Sequence, residues 1–104
     1  MYATINKNFF IVNYSYIQYV GDITMNSVNK ALALRIEELL KERGMTRYRL
    51  AMNSGVTHST LKNILHDTVR DNLLSTTILI AGGFDMSVSE FLDSPLFDEE
   101  NLNI

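Results

Sequence analysis

From Asn26 onward the chain is cut into short pieces, and the cuts follow one chemical rule. Glycine stands at Gly44, Gly55 and Gly82-Gly83, and a hydroxyl residue stands at Ser27, Thr46, Thr57 and Ser87. Glycine ends helices because it enters the left-handed conformation without a Cβ clash, and a Ser or Thr oxygen opens them by accepting a first-turn amide. The segments between these marks are too short to be stable as isolated helices, so they must share one core. This punctuation predicts an all-α domain of five helices.

The apolar spacing agrees. Val28, Leu32, Ile36, Leu39 and Leu40 form one stripe of a first helix capped by Asn26 or Ser27, with Lys30, Arg35, Glu37, Glu38, Lys41 and Glu42 facing away. A second helix, Arg47 to Asn53, is expected to turn Tyr48, Leu50, Ala51 and Met52 inward. Ser54-Gly55-Val56 interrupts, and Thr57 opens a third helix from His58 to Leu65 or His66 with Leu61, Ile64 and Leu65 inward. The fourth run, Leu73 to Ala81, is apolar almost all round, which predicts a helix covered by the others. Asn72 or Asp71 is its expected cap and Gly82-Gly83 its terminator. Ser87 opens a fifth helix through Leu92, with Glu90 completing a capping box. Pro95 should prevent further helix, leaving residues 95–104 as an acidic tail that docks through Leu96 and Phe97 and frays at its end.

Residues 1–25 read differently. Asn8 to Val20 is dense in aromatic and β-branched residues that alternate roughly at Phe10, Val12, Tyr14 and Tyr16, which predicts a β-like extension, as a strand or hairpin, ahead of a domain spanning 26–94. Asn13, Ser15 and Gln18 make it too polar to cross a bilayer, and no small-residue cleavage site follows Val20. Met25 offers a second start.

The 104 residues suit one domain, and the absence of cysteine excludes disulfides, thiolate zinc sites and cysteine nucleophiles while fitting a cytoplasmic protein. The net charge of -3 argues against nucleic acid until its distribution is read. Val28 to Arg70 holds eight bases against four acids, and the remainder one base against eight acids. Cation and anion are segregated along the chain, as expected of a basic binding face.

Two short helices joined through Ser54-Gly55-Val56 form the outline of a helix-turn-helix. Residues 32–92 resemble the XRE family of Cro and phage-repressor-like DNA-binding domains, through RIEELLKERGMTRYRLAMNSGVTHSTLKNIL and the downstream IAGGFDMSVSEFLD. The most specific parts are Leu50-Ala51, Ser54-Gly55-Val56-Thr57, Thr60-Leu61, Asn63-Ile64 and Ser87-Val88-Ser89-Glu90-Phe91. The resemblance implies a compact five-helix phage-repressor-like fold and sequence-specific binding of double-stranded DNA by a repressor-type transcriptional regulator.

An α-helix fits the major groove and presents its first turns to base edges, which gives the third helix that task. His58, Ser59, Lys62 and Asn63 point away from its apolar side and are the expected base contacts. Asn63 suits adenine, and Lys62 suits guanine or a phosphate. The resemblance implies that the first residue of the second helix holds the DNA backbone, and that residue is Arg47. Thr57, Arg43, Arg49 and Arg70 are further phosphate candidates. The chain departs from the family pattern twice. His66-Asp67-Thr68 replaces the usual Gly and base after the recognition helix, and Leu40 with Leu65 replaces a buried Arg–Glu pair, an apolar exchange of both partners together.

No catalytic constellation emerges. His58 and His66 are eight apart, not the three or four that place two metal ligands on one helical face, and no glycine-rich loop cradles a phosphate. The reading is therefore a non-enzymatic domain without metal or cofactor. Few base contacts per monomer predict a homodimer on a palindromic operator, with Phe91, Leu92, Leu96 and Phe97 as dimer contacts. The rival is a protein-interaction module, an antitoxin or anti-repressor whose partner is a protein.

Overall fold

The computed structural model describes residues 25–66 and 74–104. It contains five α-helices among those residues: α1 (Val28–Arg43), α2 (Arg47–Ser54), α3 (His58–Leu65), α4 (Leu74–Gly83) and α5 (Val88–Leu92), followed by 3₁₀ turns at Pro95–Phe97 and Glu99–Asn101. The β-like reading of residues 1–24, the capping choice between Asp71 and Asn72, and Arg70 lie outside the described residues.

The hydroxyl caps act as the sequence predicts. Ser27, Thr46, Thr57 and Ser87 accept from the backbone N–H of Lys30, Arg49, Thr60 and Glu90 respectively. Gly44 (φ 59°) and Gly55 (φ 78°) end α1 and α2 in the left-handed conformation. Ser87 and Glu90 close a capping box, and the backbone and hydroxyl hydrogen bonds that Ser87 donates hold the Glu90 carboxyl below its ordinary range. Stability from this group is present at neutral pH and lost as acid protonates it. Asp98 moves the other way, because burial and then the charges of Glu100 and Asp93 push it up, so its contribution weakens as pH rises through its titration.

One core joins all five helices, built on Leu32, Ile36, Leu39, Leu40 from α1, Leu50 from α2, Val56 from the turn, Leu61 and Ile64 from α3, Ile80 and Ala81 from α4, and Phe84 and Phe91 at the far side. Leu65 packs against this core that already holds Leu40, so both replacements of the buried ion pair sit in apolar surroundings. Two arginines of α1 clamp the phenylalanines. Arg35 donates to the carbonyls of Phe91 (2.7 Å) and Glu90 (3.2 Å) with its guanidinium 5.9 Å from the Phe91 ring centroid. Arg43 donates to the Phe84 carbonyl and lies 5.9 Å from that ring. The rings stack with centroids 6.4 Å apart.

Several expectations need correction. Val28, Tyr48 and Met52 point outward, because α2 is only two turns long and Leu50 alone is fully enclosed from its apolar set. The fourth helix is not covered all round: Thr77, Ile80, Ala81 and Gly83 face inward, and Leu74, Ile78 and Leu79 remain exposed. Gly82 and Gly83 do not terminate that helix by left-handed conformation. Both are helical, and Asp85 (φ 60°) takes the left-handed position while Met86 N–H returns to the Ala81 carbonyl. Gly83 is required for space, since a Cβ there would lie 2.8 Å from both Leu50 Cδ1 and Ser54 Cβ. The end of the tail is docked where the sequence predicts fraying. Pro95 opens a 3₁₀ turn, Leu102 is buried, and Asn26 and Leu102 form a parallel bridge with N–H···O distances of 3.1 and 2.8 Å.

Gly83→Ala should therefore destabilise the domain despite alanine's better helix propensity, by about 1–3 kcal/mol from overpacking, read as a lower thermal midpoint. An unchanged or raised midpoint would show that α2 and α4 can separate without cost.

Candidate nucleic-acid interface

The interface is built from the turn between α2 and α3. Ser54 is buried, donates its hydroxyl to the Ala51 carbonyl (3.3 Å) and accepts from Val56 N–H (3.1 Å), so the polar groups of the turn are satisfied internally. Val56 is buried beside it, and Thr57 caps the next helix while donating its own hydroxyl to Thr60 Oγ1 (2.9 Å). Thr57's side chain is thus spent on the cap. Any anion at this end meets the uncapped backbone amides of the first turn instead.

On α3 the division of faces is sharp. Leu61 and Ile64 are buried, and His58, Ser59, Lys62 and Asn63 are exposed on the opposite side. An α-helix with its side chains is about 10–12 Å across, which matches the roughly 12 Å width of the major groove. Beside it lies a cleft of about 220 Å³ lined by Arg47, His58, Lys62 and His66 over a floor of Leu61 and Leu65. The structure brings Arg47 from α2 to the same cleft as two of the four predicted base contacts. Arg49 is exposed on α2.

The remaining candidates divide. Arg43 donates to the Phe84 carbonyl and lies against that ring while remaining exposed, so it serves the fold with part of its guanidinium. Phe91 is 0% exposed and lies under Arg35, so it is a core residue and offers nothing to a second protomer. Leu92, Leu96 and Phe97 are half-buried and keep some surface. The sequence reading missed Glu37, whose carboxylate accepts from Arg47 at 2.6 Å, both side chains being about half exposed. Ten residues separate them, so no helical spacing rule signals the pair. It also missed His66 as a wall of the cleft. Among the described residues no group of acidic or histidine side chains could hold a metal ion, and no helix is long and apolar enough to cross a membrane.

A short helix displaying polar side chains beside a basic cleft, held by a capped turn to a second short helix, defines a helix-turn-helix DNA-binding domain. The model for the Cro/C1-type HTH DNA-binding domain matches residues 35–93, and the chain belongs to that family. Among solved structures it is similar to an HTH_3 family transcriptional regulator from Vibrio cholerae, at 25% identity and TM-score 0.59 over 65% of this chain and 38% of that one. It is also similar in fold to the prophage Lp1 protein 11, at 23% identity and TM-score 0.64 over 72% of this chain and 99% of that one. This chain thus matches well under half of the length of the Vibrio protein. No curated protein matches the sequence.

The Arg47–Glu37 pair carries a prediction. Exposed ion pairs contribute only about 0–1 kcal/mol, so Glu37→Gln should barely change stability. Releasing Arg47 and removing a negative charge beside the cleft should tighten binding to duplex DNA and steepen its salt dependence. Weaker binding by Glu37→Gln in a fluorescence anisotropy titration would instead make Glu37 the group that orients Arg47.

Proposed function

We propose that this chain is a transcriptional regulator of the repressor type that binds double-stranded DNA sequence-specifically. In this reading α3 enters the major groove, His58, Ser59, Lys62 and Asn63 meet base edges, and Arg47, Arg49 and the amides after Thr57 hold phosphates. The observation that carries it is the pairing of an exposed polar face on α3 with the Arg47 cleft at its side. The similarity to a transcriptional regulator from Vibrio cholerae supports the reading. Arg43 and Arg70 keep their places as phosphate candidates from the sequence alone.

One α3 offers few base contacts, so a homodimer reading a palindromic operator with half-sites about 34 Å apart fits the reading best. Leu92, Leu96 and Phe97 provide part of the contact surface in this arrangement. The exposed Tyr48 and Met52 on α2 favour a second reading, a protein-interaction module such as an antitoxin or anti-repressor, since large exposed apolar side chains suit a protein partner.

Selection of bound duplexes from random DNA, followed by affinity measurements across salt, separates the two. Asn63→Ala should cost about 1–3 kcal/mol and relax preference at a single base position. Lys62→Glu should weaken binding and flatten the salt slope by about 1 for each phosphate left without its cation. Binding that is uniform across sequences, or indifferent to both substitutions, contradicts the reading and leaves the protein-interaction module.

A further inference from the structure

A second surface hollow lies away from α3. It encloses about 550 Å³ between the start of α1, the start of α4, the end of α5 and the last residues of the chain. Its apolar wall is Val28, Leu32, Leu74, Leu92, Phe97 and Ile104, and none of the described residues lining it carries an ionisable side chain. Leu74 and Ile104 are among the most exposed large apolar side chains described, at 65% and 85%. A surface of this kind recognises an uncharged apolar chain and gives no hold to a phosphate or a charged peptide.

Such a chain begins at the groove's own lip. Asn26 donates its N–H to the Asn101 carbonyl and accepts from Asn103 N–H, which pins the entry to α1 against the C-terminal residues that form one edge of the groove. The sequence ahead of this anchor includes Asn8 to Val20, thirteen residues without a charge, in which Phe9, Phe10, Tyr14, Tyr16 and Tyr19 are interspersed with aliphatic and amide residues. Gly21 and Asp22 supply turn chemistry between that run and the anchor, and the five residues Gly21 to Met25 span up to about 17 Å.

We propose that this groove is the seat of the chain's own leading segment, with side chains of Asn8 to Val20 filling the apolar hollow between α1, α4, α5 and the C-terminus. Three observations converge: the groove's uncharged lining, the uncharged aromatic run, and the backbone bridge that fixes where that run starts. A tethered segment also has the advantage of high effective concentration over a free partner. The groove shares no described lining residue with the Arg47 cleft, so its filling leaves α3 open, but it covers Leu92 and Phe97 and leaves Leu96 alone of the three to a dimer contact.

The chain has no cysteine, so Asn103→Cys introduces a single labelling point at the groove's edge. A nitroxide attached there to the full-length, ¹⁵N-labelled protein should broaden the amide signals of Asn8 to Val20 and remove most of their intensity. Adding Leu74→Glu, at an exposed position of the wall, should restore them while the signals of α2 and α3 stay unchanged. A mixture of ¹⁵N-labelled protein without nitroxide and unlabelled protein with it should show no such loss. Full intensity in the singly substituted protein, persistence of the loss with Leu74→Glu, or loss in the mixture would each overturn the proposal, the last by assigning the contact to a second copy.

Discussion

The domain depends on how an eight-residue helix is held. Helices of this length do not persist alone in water, so α3 exists because Leu61 and Ile64 are buried against the rest of the core. That anchorage also fixes its rotation. With those two side chains inward, His58, Ser59, Lys62 and Asn63 have no course but outward. The polar face that meets the surroundings is therefore a consequence of apolar packing, and any change that loosens α3 in the core would blur its display.

The scaffold is correspondingly tight where α3 is attached. Ser54 serves twice: its hydroxyl closes the turn that launches α3, and its backbone and Cβ lie directly under Gly83 of α4. Contact between α2 and α4 thus reaches the geometry of the turn itself. On the other side of α1, Arg35 and Arg43 tie Phe91 and Phe84 through carbonyl oxygens and ring faces. Part of the positive charge that the sequence concentrates in its middle is thereby structural, and Arg47 and Lys62 carry charge outward beside α3.

Local chemistry was legible and distant contact was not. Caps, left-handed glycines and the buried stripe of α1 each follow from residues within one or two turns, and they appear at Ser27, Thr46, Thr57, Ser87, Gly44 and Gly55 as read. Gly83 looked like a terminator because its neighbour is also glycine, yet its role is set by Leu50 and Ser54, some thirty residues earlier. Arg43 is a surface cation as read, and only the folded position of Phe84 shows that it also holds a carbonyl there. Phe91 looked like part of an interface because apolar residues near a chain end carry no label for which partner they meet. The bridge between Asn26 and Leu102 joins opposite ends of the domain and has no local signal at all. The outer residues of α3 could be read because burial of Leu61 and Ile64 dictates them by helical period alone.

If duplex DNA binds to the outer side of α3, the complex must leave its mark there before anywhere else. A nuclear magnetic resonance titration of the ¹⁵N-labelled full chain with a duplex selected for binding reads this residue by residue. The largest shift changes should fall on residues 57–63 and on Arg47. Changes concentrated on α4, α5 or the C-terminal residues, with α3 unaffected, would place the DNA elsewhere and contradict the role given to α3.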